Sequence, residues 1–142
     1  MKNSDIMTKD LVYSLPSDMV SDVAQLMKNE DIGPVLIVDE SNNGKRLVGI
    51  VTDRDLALKV VGEGRDPNNT RVEDVMTGSL VTCRADDDVE NAMRAMAQNQ
   101  LRRIPVVDDS GQLVGIISQA DVATRLNEPQ STAEVVKEIS RD

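Results

Sequence analysis

The stretch Gly49-Ile50-Val51-Thr52-Asp53-Arg54-Asp55 returns further along the chain as Gly115-Ile116-Ile117-Ser118-Gln119-Ala120-Asp121. Each copy is a β-branched run that ends in a hydroxyl residue, with an aspartate three positions on. Each follows a Leu-Val pair, Leu47-Val48 or Leu113-Val114. Apolar residues at helical spacing come next: Leu56, Ala57, Val60 and Val61 after the first copy, Val122, Ala123 and Leu126 after the second. The stretch therefore reads as a strand turning into an amphipathic helix, twice.

Working outward, the whole chain is doubled. At an offset of 69 residues Met7-Thr8 falls on Met76-Thr77, Leu11-Val12 on Leu80-Val81, Val20 on Val89, Met27 on Met96 and Val38-Asp39 on Val107-Asp108. The offset then drops to 66, at which Gly49 meets Gly115 and Asp55 meets Asp121. The residues lost lie where Ser41-Asn42-Asn43-Gly44-Lys45-Arg46 stands against Ser110-Gly111-Gln112, and insertions collect at loop tips.

Each repeat has the same order of elements. Leu11-Val12-Tyr13 and Leu80-Val81-Thr82 are short strand candidates, and Asp18 and Asp87 are candidate helix N-caps. Val20, Val23, Ala24 and Met27 mark an amphipathic helix, as do Val89, Ala92, Met93 and Met96. The apolar runs Val35–Val38 and Leu47–Val51 flank a turn containing Asn-Gly, and Ile104–Val107 and Leu113–Ile117 flank Asp108-Asp109-Ser110-Gly111, a hairpin signal in each repeat. The order β-α-β-β-α, twice, predicts an α/β fold. Neither half carries enough apolar surface to stand alone, so the halves are expected to pack about a pseudo-twofold axis. The expected boundaries are 1–62 for the first repeat, 63–71 for a linker, 72–126 for the second repeat and 127–142 for a tail with a weak helical pattern at 131–139.

Composition narrows the function. The chain has 142 residues, a net charge of −9, one Tyr and no Phe or Trp, so its core must be aliphatic and its average field repels phosphate backbones. Nucleic-acid binding is disfavoured. With no His and a single Cys, an N/S zinc site and a histidine base are both ruled against. Cys83 is expected to be a small buried side chain on a strand rather than a reactive thiol. No run approaches the ~20 apolar residues that span a bilayer, and no apolar signal region opens the chain, so a cytoplasmic protein without membrane attachment is expected. No nucleophile–base arrangement or Gly-rich phosphate loop suggests an enzyme.

Two explanations of the repeated turn are open. Thr52 with Asp55, and Ser118 with Asp121, have the spacing of a helix capping box, although Glu or Gln, which reach further, are preferred at the acid position. The same groups suit a nucleoside or nucleotide: a hydroxyl and free N–H groups for phosphate, and a carboxylate to accept hydrogen bonds from the two ribose hydroxyls.

The chain resembles a pair of CBS domains, the repeats first described in cystathionine β-synthase. The matching residues are Met-Thr at the start of each repeat, Leu36 or Pro105 followed by Ile-Val-Asp or Val-Val-Asp, and the two Gly-Ile-Val/Ile-Thr/Ser stretches with their aspartates, over residues 7 to about 126. The resemblance is greatest to small bacterial proteins made of little but the pair. It implies a Bateman module without catalytic residues that binds an adenosine compound (AMP, ADP, ATP, S-adenosylmethionine or NAD) in the cleft between the repeats. Binding would shift the angle between the repeats, and a separate protein partner would read the shift. It also implies a homodimer formed through helices, to which Val23, Met27, Met93 and Met96 would contribute if they are not core. In such modules the hydroxyl residue and the aspartate of the turn meet phosphate and ribose, here Thr52 with Asp55 and Ser118 with Asp121. The base is held by residues of the opposite repeat: Thr8, Val12, Pro34 and Val35 for the Asp121 site, and Thr77, Val81, Arg103 and Ile104 for the Asp55 site. Arg103 stands where the family often has a phosphate contact, and Arg102, Arg103 and Arg54, the arginines near the motifs, would supply the local positive field that the average charge lacks. The first repeat has Pro34 in that place, so unequal sites are expected.

Overall fold

Two β-hairpins form the centres of two separate sheets in the computed structural model, which describes residues 1–125. In chain order the elements are α1 (Asn3–Ile6), β1 (Tyr13–Ser14), α2 (Val20–Glu30), β2 (Val35–Asp39), β3 (Arg46–Val51), α3 (Asp53–Asp55) continued by a π-helical turn (Leu56–Val61), then β4 (Cys83–Arg84), α4 (Val89–Gln98), β5 (Arg103–Val107), β6 (Leu113–Ser118) and α5 (Gln119–Arg125). The fold is mixed α/β with two three-stranded sheets of order β1-β2-β3 and β4-β5-β6. In each, the first pair is parallel and the hairpin pair antiparallel.

The described chain divides into two compact units, one of residues 1–11 with 81–125, the other of residues 12–80. Each repeat thus sends its opening Met-Thr segment into the unit built on the other repeat's sheet. In the first unit Thr8 and Ile116 exchange backbone hydrogen bonds of 2.8 and 3.0 Å, and in the second Ile50 and Thr77 exchange bonds of 2.9 and 2.8 Å. The strand glycines permit this approach. A Cβ on Gly115 would lie 2.5 Å from Met7 Sδ, and one on Gly49 would lie 2.6 Å from Met76 Sδ. A glycine inside a strand often marks such a crossing of backbones.

Aliphatic residues fill each core, as the lack of Phe and Trp requires. Val20, Val23, Met27, Val35, Ile37, Val51, Val60, Val72 and Val75 form one cluster; Ile6, Cys83, Val89, Ala92, Met93, Met96, Ile104, Val106, Ile117 and Val122 form the other. Val23, Met27, Met93 and Met96 are therefore core residues of their own units and not a surface for a second copy. Ala24 and Ala57, placed by periodicity on buried faces, are exposed, as is Val61.

The hairpins form where the apolar runs place them, with Asn43 (φ 59°) and Gly111 (φ 79°) in the left-handed conformation that turns require. The short parallel strands lie further on than the sequence suggests. β1 includes only Tyr13 of Leu11-Val12-Tyr13, and β4 includes none of Leu80-Val81-Thr82. Those residues sit at the two points where the chain passes between units, Leu11/Val12 and Leu80/Val81. The N-caps shift by one residue too. Met19 and Asp88 precede α2 and α4, neither with a side-chain cap bond, while the Asp18 carboxylate accepts from the Leu15 N–H at 2.8 Å. Backbone carbonyls satisfy the helix starts: Val20 N–H donates to Thr70 O (2.9 Å) and Val89 N–H to Met1 O (2.9 Å). Residues 63–71, read from sequence as a linker, are thereby fastened to α2, with Ser21 N–H donating to Pro67 O at 3.0 Å. The expected helical tail at 131–139 lies outside the described residues.

Cys83 is buried on β4, and its Sγ lies 3.7 Å from Pro105 O. Burial pushes its thiol up to about 12, and the nearby Asp87 adds to the effect. The native thiol is expected to be inert to Ellman's reagent near pH ~8 and to react once urea unfolds the chain; rapid reaction of the folded protein would contradict this burial. A thiol raised in the folded state contributes stability below its ordinary value of 9.0, and that contribution is lost as pH rises toward 12.

Candidate functional site: the two hydroxyl–aspartate turns

Both repeated turns close as reciprocal capping boxes. In the second unit Asp55 N–H donates to Thr52 Oγ1 (3.2 Å) and Thr52 N–H donates to Asp55 Oδ2 (2.9 Å). In the first, Asp121 N–H donates to Ser118 Oγ (3.1 Å) and Ser118 N–H donates to Asp121 Oδ2 (3.1 Å). Aspartate therefore reaches far enough to close the box, and its use in place of Glu is no argument against capping. Thr52 has the extended backbone usual at a cap position (φ −117°, ψ 164°).

The boxes still leave binding capacity. An ionised carboxylate offers about four lone-pair directions, and the box consumes one of them on Oδ2. Both aspartates are half-buried, so each is held in place by backbone while remaining reachable. Their other partners differ. Asp121 Oδ2 also accepts from the Thr8 hydroxyl, at 3.5 Å, a long bond brought about by the pairing of Thr8 with Ile116. Asp55 Oδ1 faces the ammonium of Lys59 at 3.3 Å, and Lys59 Nζ also donates to Val75 O at 3.1 Å. Sequence reasoning missed Lys59, although its signal was present: an acid and a lysine four apart on one helical face.

The other residues singled out from sequence divide between the units. The first unit holds Thr8, Val81, Arg103, Ile104, Ser118 and Asp121; the second holds Val12, Pro34, Val35, Thr52, Asp55 and Thr77. Arg103 is exposed and stands opposite Ser118 in the β5–β6 register, beside the Asp121 turn within its own unit. Thr77 bonds through its backbone to Ile50, two residues before Thr52. Val35 and Ile104 are fully buried in the two cores, so only their backbone groups are available to a ligand. Thr8, Pro34, Thr77 and Val81 are exposed and Val12 is half-buried. No group of three or more His, Cys, Asp or Glu that could hold a metal occurs among the described residues. None of the described helices is long and apolar enough to cross a membrane.

Two β-α-β-β-α units, each ending its last strand in a hydroxyl–carboxylate turn and each completed by a segment of the other repeat, define a tandem-repeat α/β module. The chain belongs to the CBS domain family, whose model matches residues 4–62 and 72–128. It is 35% identical over 136 residues to the CBS domain-containing protein YhcV of Bacillus subtilis, covering 96% of this chain and 93% of that one. Among solved structures it resembles CBSX2 in complex with AMP, with 30% identity and a TM-score of 0.74 over 91% of this chain and 98% of that one. It also resembles the CBS domain pair of protein MJ0100 in complex with 5′-methylthioadenosine and S-adenosyl-L-methionine. That match has 27% identity and a TM-score of 0.70, over 92% of this chain and 98% of that one.

Proposed function

We propose that the chain is a regulatory module that binds an adenosine compound at its hydroxyl–aspartate turns and passes occupancy on to a protein partner, acting by binding and not by catalysis. The observation that carries this is the state of the two carboxylates. Each is fixed through one oxygen by a backbone N–H and remains partly exposed, a preorganised acceptor for the paired hydroxyls of a ribose, with Asp55 also paired through its other oxygen to Lys59. Support comes from the similar structures that hold AMP, methylthioadenosine and S-adenosylmethionine, all of which contain that diol. Thr52 and Ser118 would meet phosphate or ribose. Thr8, Val12, Pro34, Val35, Thr77, Val81, Arg103 and Ile104 would contribute to holding base and phosphate, Val35 and Ile104 through backbone alone.

A second reading, a constitutive interaction or dimerisation module without a ligand, draws on Leu58 and Val61, apolar side chains that are 54% and 78% exposed on the π-helical turn. Calorimetry with AMP, ADP, ATP, S-adenosylmethionine and NAD separates the two. We expect saturable binding of at least one compound, weakened by substitution at Asp55 or Asp121. Absence of heat and of thermal shift with every compound at millimolar concentration would leave the interaction reading standing and ours overturned.

A further inference from the structure

The geometry points to Lys59 as the residue that makes the Asp55 turn select nucleoside 5′-phosphates over uncharged or cationic adenosine compounds, an inference that rests on the ligand-binding reading above. A carboxylate placed to accept ribose hydroxyls has a cost: it repels the phosphate that the same nucleotide carries. Lys59 answers that repulsion at Asp55. Its ammonium lies 3.3 Å from Asp55 Oδ1 and is anchored on the Val75 carbonyl at 3.1 Å. An ammonium has three donors. Two are engaged here and no other acceptor is recorded for it among the described residues, so one donor remains on a side chain 41% exposed.

The backbone contributes to this placement. Directly after Asp55 the helix widens into the π-helical turn Leu56–Val61, closed by the Gly62 N–H donating to Ala57 O at 2.8 Å. Residues four apart share a helix face, which sets Lys59 over Asp55, and π turns of this kind recur at functional sites. In the other unit the corresponding helix α5 is α-helical, and among the described residues Asp121 Oδ2 accepts from the Ser118 N–H and the Thr8 hydroxyl.

Within one turn, then, the chain offers an acceptor for a diol (Asp55), a hydroxyl (Thr52) and a fixed cation with a spare donor (Lys59). A ligand with a phosphate gains a charge-assisted hydrogen bond from Lys59. A nucleoside gains nothing from it, and a sulfonium compound such as S-adenosylmethionine meets like charge.

The test isolates the Asp55 turn with Asp121→Asn and titrates AMP and adenosine by calorimetry, alone and with Lys59→Met or Lys59→Arg added. We expect Asp121→Asn to bind AMP in preference to adenosine. Lys59→Met should lower AMP affinity about ten- to a hundredfold, the range for a hydrogen bond to a charged group, and leave adenosine affinity unchanged. Lys59→Arg should retain the preference, and raised salt should erode it. Equal loss for both ligands would assign Lys59 a purely structural role and overturn the inference, as would no loss for either. If the wild type binds AMP but Asp121→Asn does not, the Asp55 turn is not a site, and this inference falls while the function proposed for Asp121 survives. If the wild type binds none of the compounds, the function itself falls and the inference with it.

Discussion

Gly115→Ala is expected to be one of the most destabilising single-atom additions this chain can receive, at about 1–3 kcal/mol, the usual range for overpacking. The new Cβ would lie 2.5 Å from Met7 Sδ, 2.7 Å from its Cγ and 2.9 Å from its Cβ. Met7 cannot simply retreat, because the adjacent Thr8 is held to Ile116 by two backbone hydrogen bonds. The added methyl must therefore distort β6 or detach the crossing segment. Urea denaturation of Gly115→Ala, Met7→Ala and the double variant measures this. The double variant should be less destabilised than the sum of the singles, since Met7→Ala removes the two nearest atoms, with a coupling of about 0.5–3 kcal/mol. Strict additivity would mean that the contact is not what excludes a side chain at position 115. Gly49→Ala should cost less, because its nearest atom is the movable Sδ of Met76 at 2.6 Å, with Cγ and Thr77 O both at 3.1 Å.

Substitution of Asp121 is expected to separate capping from binding. Asp121→Ala removes the acceptor for the Ser118 N–H and should cost about 0.5–2 kcal/mol, as loss of a cap does, along with ligand affinity. Asp121→Asn keeps an oxygen for the Ser118 N–H and so should retain most of the stability. The neutral amide accepts ribose hydroxyls less strongly than a carboxylate, and about tenfold or more of the affinity at this turn should be lost. Thermal melts paired with calorimetry give the two readouts. If Asp121→Asn binds as well as the wild type, the carboxylate serves only the cap, and the family's ribose contact does not apply at this turn.

The duplication, the α/β class and the two hairpins are legible in the sequence because they rest on local pattern. Alternating and helical spacing of Val, Ile, Leu and Met survives in any packing that buries those residues, and the change of offset at residues 41–46 marks a loop whatever surrounds it. The turns are legible for the same reason: a hydroxyl and an acid three apart suffice to define a box. Their interpretation was less secure. The preference for Glu or Gln at the acid position left the aspartates only partly explained by capping, yet both boxes close with Asp. The N-caps at Asp18 and Asp87 failed. Carbonyls of Thr70 and Met1, distant in sequence, meet the first helical N–H groups and leave the nearby acids without that task.

By itself, then, the sequence determined that this protein is two copies of one α/β unit, with a hydroxyl–aspartate turn at the end of each last strand. Periodicity, duplication and turn chemistry are properties of neighbouring residues, and neighbours are what a sequence records. Only the tertiary structure decided that the Met-Thr segments pair with the sheets of the opposite repeats, through strand glycines that leave room for a methionine. It also decided that both aspartates are half-committed to backbone, and that Lys59 stands against one while Thr8 meets the other. The Thr8–Asp121 pairing joins residues 113 positions apart and leaves no mark in short-range pattern, whereas the spacing of four between Asp55 and Lys59 is legible and only its closure needed the structure.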